Sequence, residues 1–446
     1  MEVPIQSGST PDGTDPNRAP PPQRRPRHRR GVTVSDPHTS GDRGWLARER
    51  GRLLDFASAA RDPRGGFSWL DESGNPDPQR PVETWITARM THVFALAQLT
   101  DVPDAAEFVD HGVAALRGPL YDHSHGGWFS STTDPTKGAY EHAFVVLAAA
   151  SATAAGHPHA GTLLEEALRV VESGFWEERT GLSLESWDRR WLSTEQYRGA
   201  NSNMHLVEAM LAAGDVIGER VWHERALRTA GTLIDEVART HAWRLPEHFT
   251  PEWEPDPEYN RERPHDPFRP HGTTVGHWLE WARLLLHIEA SFGQAAPNWL
   301  ISDARNLFEA ALQHGWHADG HPGFVYTLDW QDRPQVRERM HWVIAEAILS
   351  ADALYQRTGE TYYRQWYTAF WDFARARHLD RSAGSWHHEL SPDGRVSRSV
   401  WSGKPDVYHA YQATLFPELP LSPVAAVALR DGLGEPGERE GDRSTG

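Results

Sequence analysis

The chain has 446 residues, a formal charge of −17 at neutral pH, 20 tryptophans, 25 histidines and no cysteine. That length allows a large core, and the missing cysteine excludes disulfides, thiolate catalysis and thiolate-bound metals. The negative balance argues against a nucleic-acid or anionic-membrane partner for the folded body, because phosphate binding needs clustered Lys and Arg.

Residues 1–42 read as a disordered tail. Pro, Gly, Ser and Asp give way to Pro20-Pro21-Pro22 and the basic run Arg24-Arg25-Pro26-Arg27-His28-Arg29-Arg30, with too few apolar groups to offset the entropy of ordering. Residues 431–446, rich in Gly and charge, read the same way, which leaves 43–430 as one folded domain. No apolar run approaches the roughly 20 residues of a membrane span, and the first residues lack the apolar core of a signal peptide. A cytoplasmic protein without a membrane partner is expected.

Helical periodicity over 45–60, 83–99, 103–117, 139–155, 160–175, 202–217, 221–239, 275–290, 297–314, 338–357, 361–378 and 405–415 predicts twelve helices in six pairs. The first helix of each pair carries charge on one face, as in Leu46-Ala47-Arg48-Glu49-Arg50, and the second is nearly all apolar, as in Phe144-Val145-Val146-Leu147-Ala148-Ala149-Ala150. An amphipathic helix covers a core and an apolar one lies inside it. Connections from inner to outer helices are short, such as Gly218-Glu219 and Thr358-Gly359-Glu360; those from outer to inner are long and therefore expected to carry function. The long ones repeat a Gly–aromatic signature at Gly66-Phe67, Gly127-Trp128, Gly174-Phe175, Gly323-Phe324 and Gly384-Ser385-Trp386. Turn chemistry at Asp71-Glu72-Ser73-Gly74 and Ser391-Pro392-Asp393-Gly394 predicts small β-hairpins there. The expected fold is all-α: an (α/α)6 barrel with its site at the long-loop end.

Each inner helix has a histidine near its start: His92, His142, His205, His277, His341 and His409. In the stretch Gly276-His277-Trp278-Leu279-Glu280-Trp281, helical spacing puts His277, Glu280 and Trp281 on one face. Arg89, Tyr140, Glu208 and Glu346 accompany other members. Such a mouth suits a sugar pocket with acid and base groups. A single core histidine is ordinarily structural, and His92 and His142 are expected to bind or support rather than catalyse. His341 is expected to pack beside Trp342. In His387-His388-Glu389 the adjacent histidines of a strand face opposite ways, a poor metal patch. With neither HExxH nor paired Asp, no metal and no cofactor are expected. A hydrolase would need two carboxylates across a scissile bond, whereas histidines dominate here.

The segments Arg89-Met90-Thr91-His92-Val93-Phe94-Ala95, Tyr197-Arg198-Gly199-Ala200-Asn201-Ser202-Asn203-Met204-His205, Gly276 to Trp281, and Gly403-Lys404-Pro405-Asp406-Val407-Tyr408-His409-Ala410 resemble the N-acylglucosamine 2-epimerase superfamily, and within it the aldose–ketose isomerase branch. The resemblance spans roughly residues 42–425. It implies interconversion of D-mannose and D-fructose through a cis-enediol, with sulfoquinovose isomerase or sugar 2-epimerase activity as alternatives. It places the catalytic histidines at His277 and His409, with Arg89, Tyr140, Asn201, His205, Arg269, Glu280, Trp342 and Glu346 around the sugar. Histidine suits proton transfer in both directions near neutrality. The expected division gives the C2/C1 proton shuttle to His409 and ring opening to His277, oriented by Glu280. A sulfonate at C6 would need an Arg, and Arg198, Arg244 and Arg269 are candidates. The partner is a small sugar, and the chain is expected to be a monomer or small homo-oligomer.

Overall fold

The computed structural model describes residues 40–433, with side chains from Arg43 onward. The tails expected at 1–42 and 431–446 therefore fall mostly outside the described residues, and the first helix opens at Ser40, inside the expected N-terminal tail. All twelve expected helices are present: α1 (Ser40–Ser58), α2 (Thr84–Leu99), α3 (Ala105–Arg117), α4 (Ala139–Ala154), α5 (Ala160–Val170), α6 (Ala200–Ile217), α7 (Arg220–Ala230), α8 (Val275–Phe292), α9 (Trp299–Gly315), α10 (His341–Thr358), α11 (Thr361–Arg377) and α12 (Tyr408–Leu415). Wider π turns extend α5 through Phe175 and α7 through Ala238. A short α13 (Ala425–Arg430), without a signal in the sequence pattern, packs across α2, α4 and α6.

The even-numbered helices form an inner ring in which each packs on the next and α12 returns to α2; the odd-numbered ones form the outer layer of an (α/α)6 barrel. Burial follows residue pattern. The Phe144–Ala150 run of α4 is buried throughout, while α5 buries Leu163, Leu164, Ala167 and Leu168 and exposes Glu165 and Arg169, the three-and-four spacing of a one-sided helix. Tight partners are the helices joined by short turns, α2 with α3 through α10 with α11, rather than those joined by long loops. A short turn leaves the chain no length to move off its neighbour. The sixth pair joins α12 to α1, so the two ends of the domain close the ring.

The long loops form a second ring above the helices. Lys137–Gly138 pairs with Ser186–Trp187, Arg198–Gly199 with His248–Phe249, Thr273–Thr274 with Thr327–Leu328, and Arg339–Met340 with Glu389–Leu390. Each pair ties the entry of one inner helix to the next long loop. A Glu83–Ser131 bridge continues the series. The Lys404 amide bonded to Leu70 O at 2.9 Å and Trp69 Nε1 bonded to Ser402 O at 2.9 Å complete it. The local hairpins expected from turn chemistry are present as Leu70–Pro76 and Leu390–Val396 bridges. Gly66, at φ +82°, shows why glycine precedes the wedge aromatics: a Cβ there would stand 2.6 Å from Thr87 Oγ1 and 2.9 Å from Val82 Cγ1, while Phe67 behind it is fully buried.

Candidate active site

A cleft opens where the inner helices begin, lined by Arg89, Tyr140, Asn201, His205, His277, Glu280, His341, Trp342, Asp406 and His409. Trp85, Phe268, Tyr326, His388 and Trp401 add to its wall, with Pro267, Pro270 and Pro405.

Two histidine–carboxylate pairs stand at this cleft. His277 Nδ1 donates to Glu247 Oε2 at 2.8 Å, and Glu247 Oε1 accepts the Thr274 amide at 3.1 Å. Glu247 is further pinned because its carbonyl accepts the Ala200 amide at the start of α6. His409 Nδ1 donates to Glu346 Oε1 at 2.9 Å, and Glu346 Oε2 accepts Arg283 Nε at 3.0 Å. A carboxylate only accepts, so in each ring Nδ1 carries the proton and Nε2 is left with a lone pair able to accept one. The Trp342 ring neighbours both, 5.1 Å from His277 and 5.8 Å from His409, tilted 36° to each. Gly276 makes that approach possible, since a Cβ there would come 2.4 Å from the indole. Burial pulls His409 below the ordinary histidine range, against the opposing pull of Glu346. Burial would raise Glu346, but Arg283 and the His409 hydrogen bond outweigh it and hold the carboxyl low.

The other expected binding residues fall into two groups. Arg89, Tyr140, Asn201, His205 and Trp342 all line the cleft. Arg89 donates to Tyr140 Oη at 2.9 Å and to Asp406 Oδ2 at 3.3 Å. Burial opposes its charge, but Tyr140 and Asp406 prevail and its pKa is raised. Burial lowers His205 to about 3, so its ring is neutral. Arg269 and Glu346 do not line the cleft. Arg269 Nη1 and Nη2 bond to Glu195 at 2.5 and 2.9 Å, and its guanidinium stacks 4.1 Å from the Tyr197 ring. It anchors the loop that presents Phe268. Glu346 stands behind His409, fully buried.

Glu280 corrects a second expectation. It shares the face and lines the cleft, yet its Oε1 lies 3.7 Å from His205 Nδ1 and 3.6 Å from Arg283 Nη2, and Glu247 is the carboxylate that orients His277. Glu247 belongs to a long loop, where no helical spacing could reveal it. The phased histidines also divide. His142 Nδ1 bonds Gly138 O at 2.6 Å and its Nε2 accepts the Trp128 amide at 3.1 Å, so both nitrogens serve the main chain. His92 sits about two turns into α2, bonded to Ser151 Oγ at 2.6 Å. His341 lines the cleft and stacks on His388 at 3.6 Å, because the Met340–Glu389 register sets residues 341 and 388 opposite each other. His387 faces the other way, 3.7 Å from Asp380, the alternation expected of adjacent strand residues.

Among the described residues two sets of side chains could surround an ion, His205 with Glu208 and Glu280, and Glu280 with Glu346 and His409. The Arg283 guanidinium already stands among them, 3.0 Å from Glu346, 3.6 Å from Glu280 and 3.7 Å from Glu208. Their charge is met by a side chain, and we assign no metal ligands here.

The model of the N-acylglucosamine 2-epimerase (GlcNAc 2-epimerase) family matches residues 65–413. A D-mannose isomerase of Thermobifida fusca is 56% identical over 394 residues, covering 87% of this chain and 97% of the relative. A D-mannose isomerase of Pseudomonas cannabina pv. alisalensis is 50% identical over 392 residues, covering 86% and 94%. A crystal structure of a D-mannose isomerase superposes with a TM-score of 0.78 at 28% identity, covering 83% of this chain and 96% of that one. The structure of cellobiose 2-epimerase from Spirochaeta thermophila shares the fold, with a TM-score of 0.75 at 24% identity over 91% of this chain and 100% of its own.

Proposed function

The chain belongs to the N-acylglucosamine 2-epimerase family, and from that premise we infer that it is an aldose–ketose isomerase interconverting D-mannose and D-fructose. The observation that carries this is the pair of histidines, each with Nδ1 held by a buried carboxylate, flanking one indole in one cleft. Isomerisation needs a base to take the C2 proton, a cis-enediol, and return of that proton to C1. His409 fits the shuttle: its ring is neutral at the start, and Glu346 stabilises the imidazolium that forms. His277, held by Glu247, fits the opening of the pyranose by exchanging protons with O1 and O5. Arg89 Nε and Asn201 Oδ1 have no hydrogen-bond partner among the described residues, and sugar hydroxyls would satisfy them.

The charges favour a neutral C6 over a sulfonate. Arg89 faces Asp406, Arg269 faces Glu195, Arg244 faces Asp332, and Lys404 bonds Asp380 at 2.7 Å; Arg198 bonds the carbonyls of Glu195 and Tyr197. No unpaired cation among the described residues lines the cleft to meet an anionic substituent. A cytoplasmic location belongs to the same proposal, as a hexose isomerase works on free sugar. The test is NMR of the purified protein with D-mannose, D-fructose, sulfoquinovose and cellobiose after exhaustive chelation. Approach to equilibrium from both mannose and fructose is expected. Failure on mannose, or chelation loss restored by a divalent ion, would overturn the proposal.

A further inference from the structure

With Glu247 serving His277, Glu280 is left without an orienting task. It is 1% exposed, lines the cleft, and its Oε1 has no donor among the described residues. Around it are two other buried carboxyls, and the candidate ligating atoms of Glu280 with those of Glu208 and of Glu346 lie within 4.8 Å. One guanidinium, Arg283, serves all three.

Donor hydrogen bonds decide where the charge rests. Glu346 receives Arg283 Nε at 3.0 Å and His409 Nδ1 at 2.9 Å. Glu208 receives the Tyr408 hydroxyl and Gln412 Nε2, the latter at 3.3 Å. Glu280 receives none of these. Three carboxylates this close, shielded from water, cannot all ionise against one cation, and the proton stays on the one that lacks donors. Burial, then the charge on Glu346, pushes Glu280 well above the ordinary carboxyl range. In Glu208 burial is outweighed by His205 and Arg283, and that carboxyl is held low.

We propose that Glu280 is a neutral carboxylic acid in the resting enzyme and carries the proton between O1 and O2 of the open-chain sugar. The proposal rests on the isomerase reading. As His409 removes the C2 proton, the C2–H pair becomes the C1=C2 bond and the carbonyl π pair moves to O1, which takes the Glu280 proton. The enediol then receives the His409 proton at C1, the O2–H proton passes to the Glu280 carboxylate, and C2=O forms. Both residues end as they began, so no outside acid or base is consumed. A carboxyl suits the task because one oxygen can give a proton while the other takes one.

Two measurements test it on the full chain. An infrared difference spectrum, wild type minus Glu280→Gln at pH 7, is expected to show the C=O stretch of a protonated carboxyl. For D-mannose, Glu280→Gln and Glu280→Ala are expected to lose about 10²-fold or more in kcat with KM little changed, and Glu280→Asp to recover part of it. Melting temperatures identify any variant that fails to fold, and the infrared band of Glu280→Asp then stands in for it. Absence of the protonated-carboxyl band, or Glu280→Gln retaining kcat within about threefold, overturns the proposal. A wild type that shows the band but does not interconvert mannose and fructose overturns the isomerase reading and the transfer step while leaving the neutral acid in place.

Discussion

His277 and His409 make the same hydrogen bond through Nδ1 but stand in different electrostatic settings. The carboxylate behind His409 is shared with Arg283, whereas that behind His277 receives, among the described residues, the Thr274 amide besides the imidazole. On the proposed mechanism that difference suits the two rings to separate tasks. His409→Ala is expected to abolish exchange of the substrate C2 hydrogen with deuterated water, and His277→Ala to be least harmful on a sugar supplied in open form; NMR exchange rates distinguish them, each loss being about 10²- to 10⁴-fold. Loss of C2 exchange in His277→Ala with retention in His409→Ala would reverse the assignment. Glu247→Gln keeps the shape but weakens the hold on the proton-bearing nitrogen. It should lower kcat roughly 10- to 100-fold with little change in KM, less than removal of a general acid or base itself. An unchanged kcat would mean that His277 needs no such partner. Glu247 was illegible in the sequence because it lies 30 residues before its histidine in an irregular loop, while Glu280, three residues after it, had a spacing that could be read.

At the scale of elements, the loops are held by carboxylates that accept main-chain amides. Glu389 is the clearest: Oε1 accepts the Ser399 amide at 2.8 Å and Oε2 accepts those of Val400 and Trp401 at 2.9 and 2.7 Å. This fixes Trp401 against Trp69 and Phe268 at 5.8 and 5.2 Å, forming the cleft's aromatic side. Hydrogen bonds to a charged group are each worth about 1.5–3 kcal/mol, so Glu389→Ala should free that segment. The expected result is a KM for mannose raised several-fold, with a smaller change in kcat and altered tryptophan emission; steady-state kinetics and fluorescence check it, and an unchanged KM would remove Trp401 from the binding wall. The Gly–aromatic repeats and turn motifs of these loops were readable because their chemistry is local. Which loop pairs with which was not, because each cross-loop bond joins residues from different repeats.

For the whole molecule, ring closure depends on α1 packing on α12. Deleting residues 1–39, which carry little apolar content, should leave activity and melting temperature nearly unchanged, while deletion through Ser58 should abolish cooperative unfolding; calorimetry of both chains decides. Buried titrating groups set a pH dependence as well. Burial raises Asp352 from 3.8 to about 7, so the fold keeps a proton that the unfolded chain has released, and wild-type stability from this group falls as pH rises from about 4 to 7. Asp352→Asn should therefore gain melting temperature relative to wild type across that window, and a difference independent of pH would refute it. Burial lowers His142 and His388 to about 3, which acts in the opposite sense: the stability they contribute is present above 6.5 and lost as pH falls toward 3. By itself the sequence determined the helices, their inner and outer layers and the end at which the cleft opens, because periodicity is a property of neighbours along the chain. Only the tertiary structure decided which carboxylate serves which histidine, that Arg269 braces a loop, and that Glu280 Oε1, near Glu208 and Glu346, has no donor among the described residues. Those outcomes depend on distances between groups from separate helices and loops, which no spacing along the chain encodes.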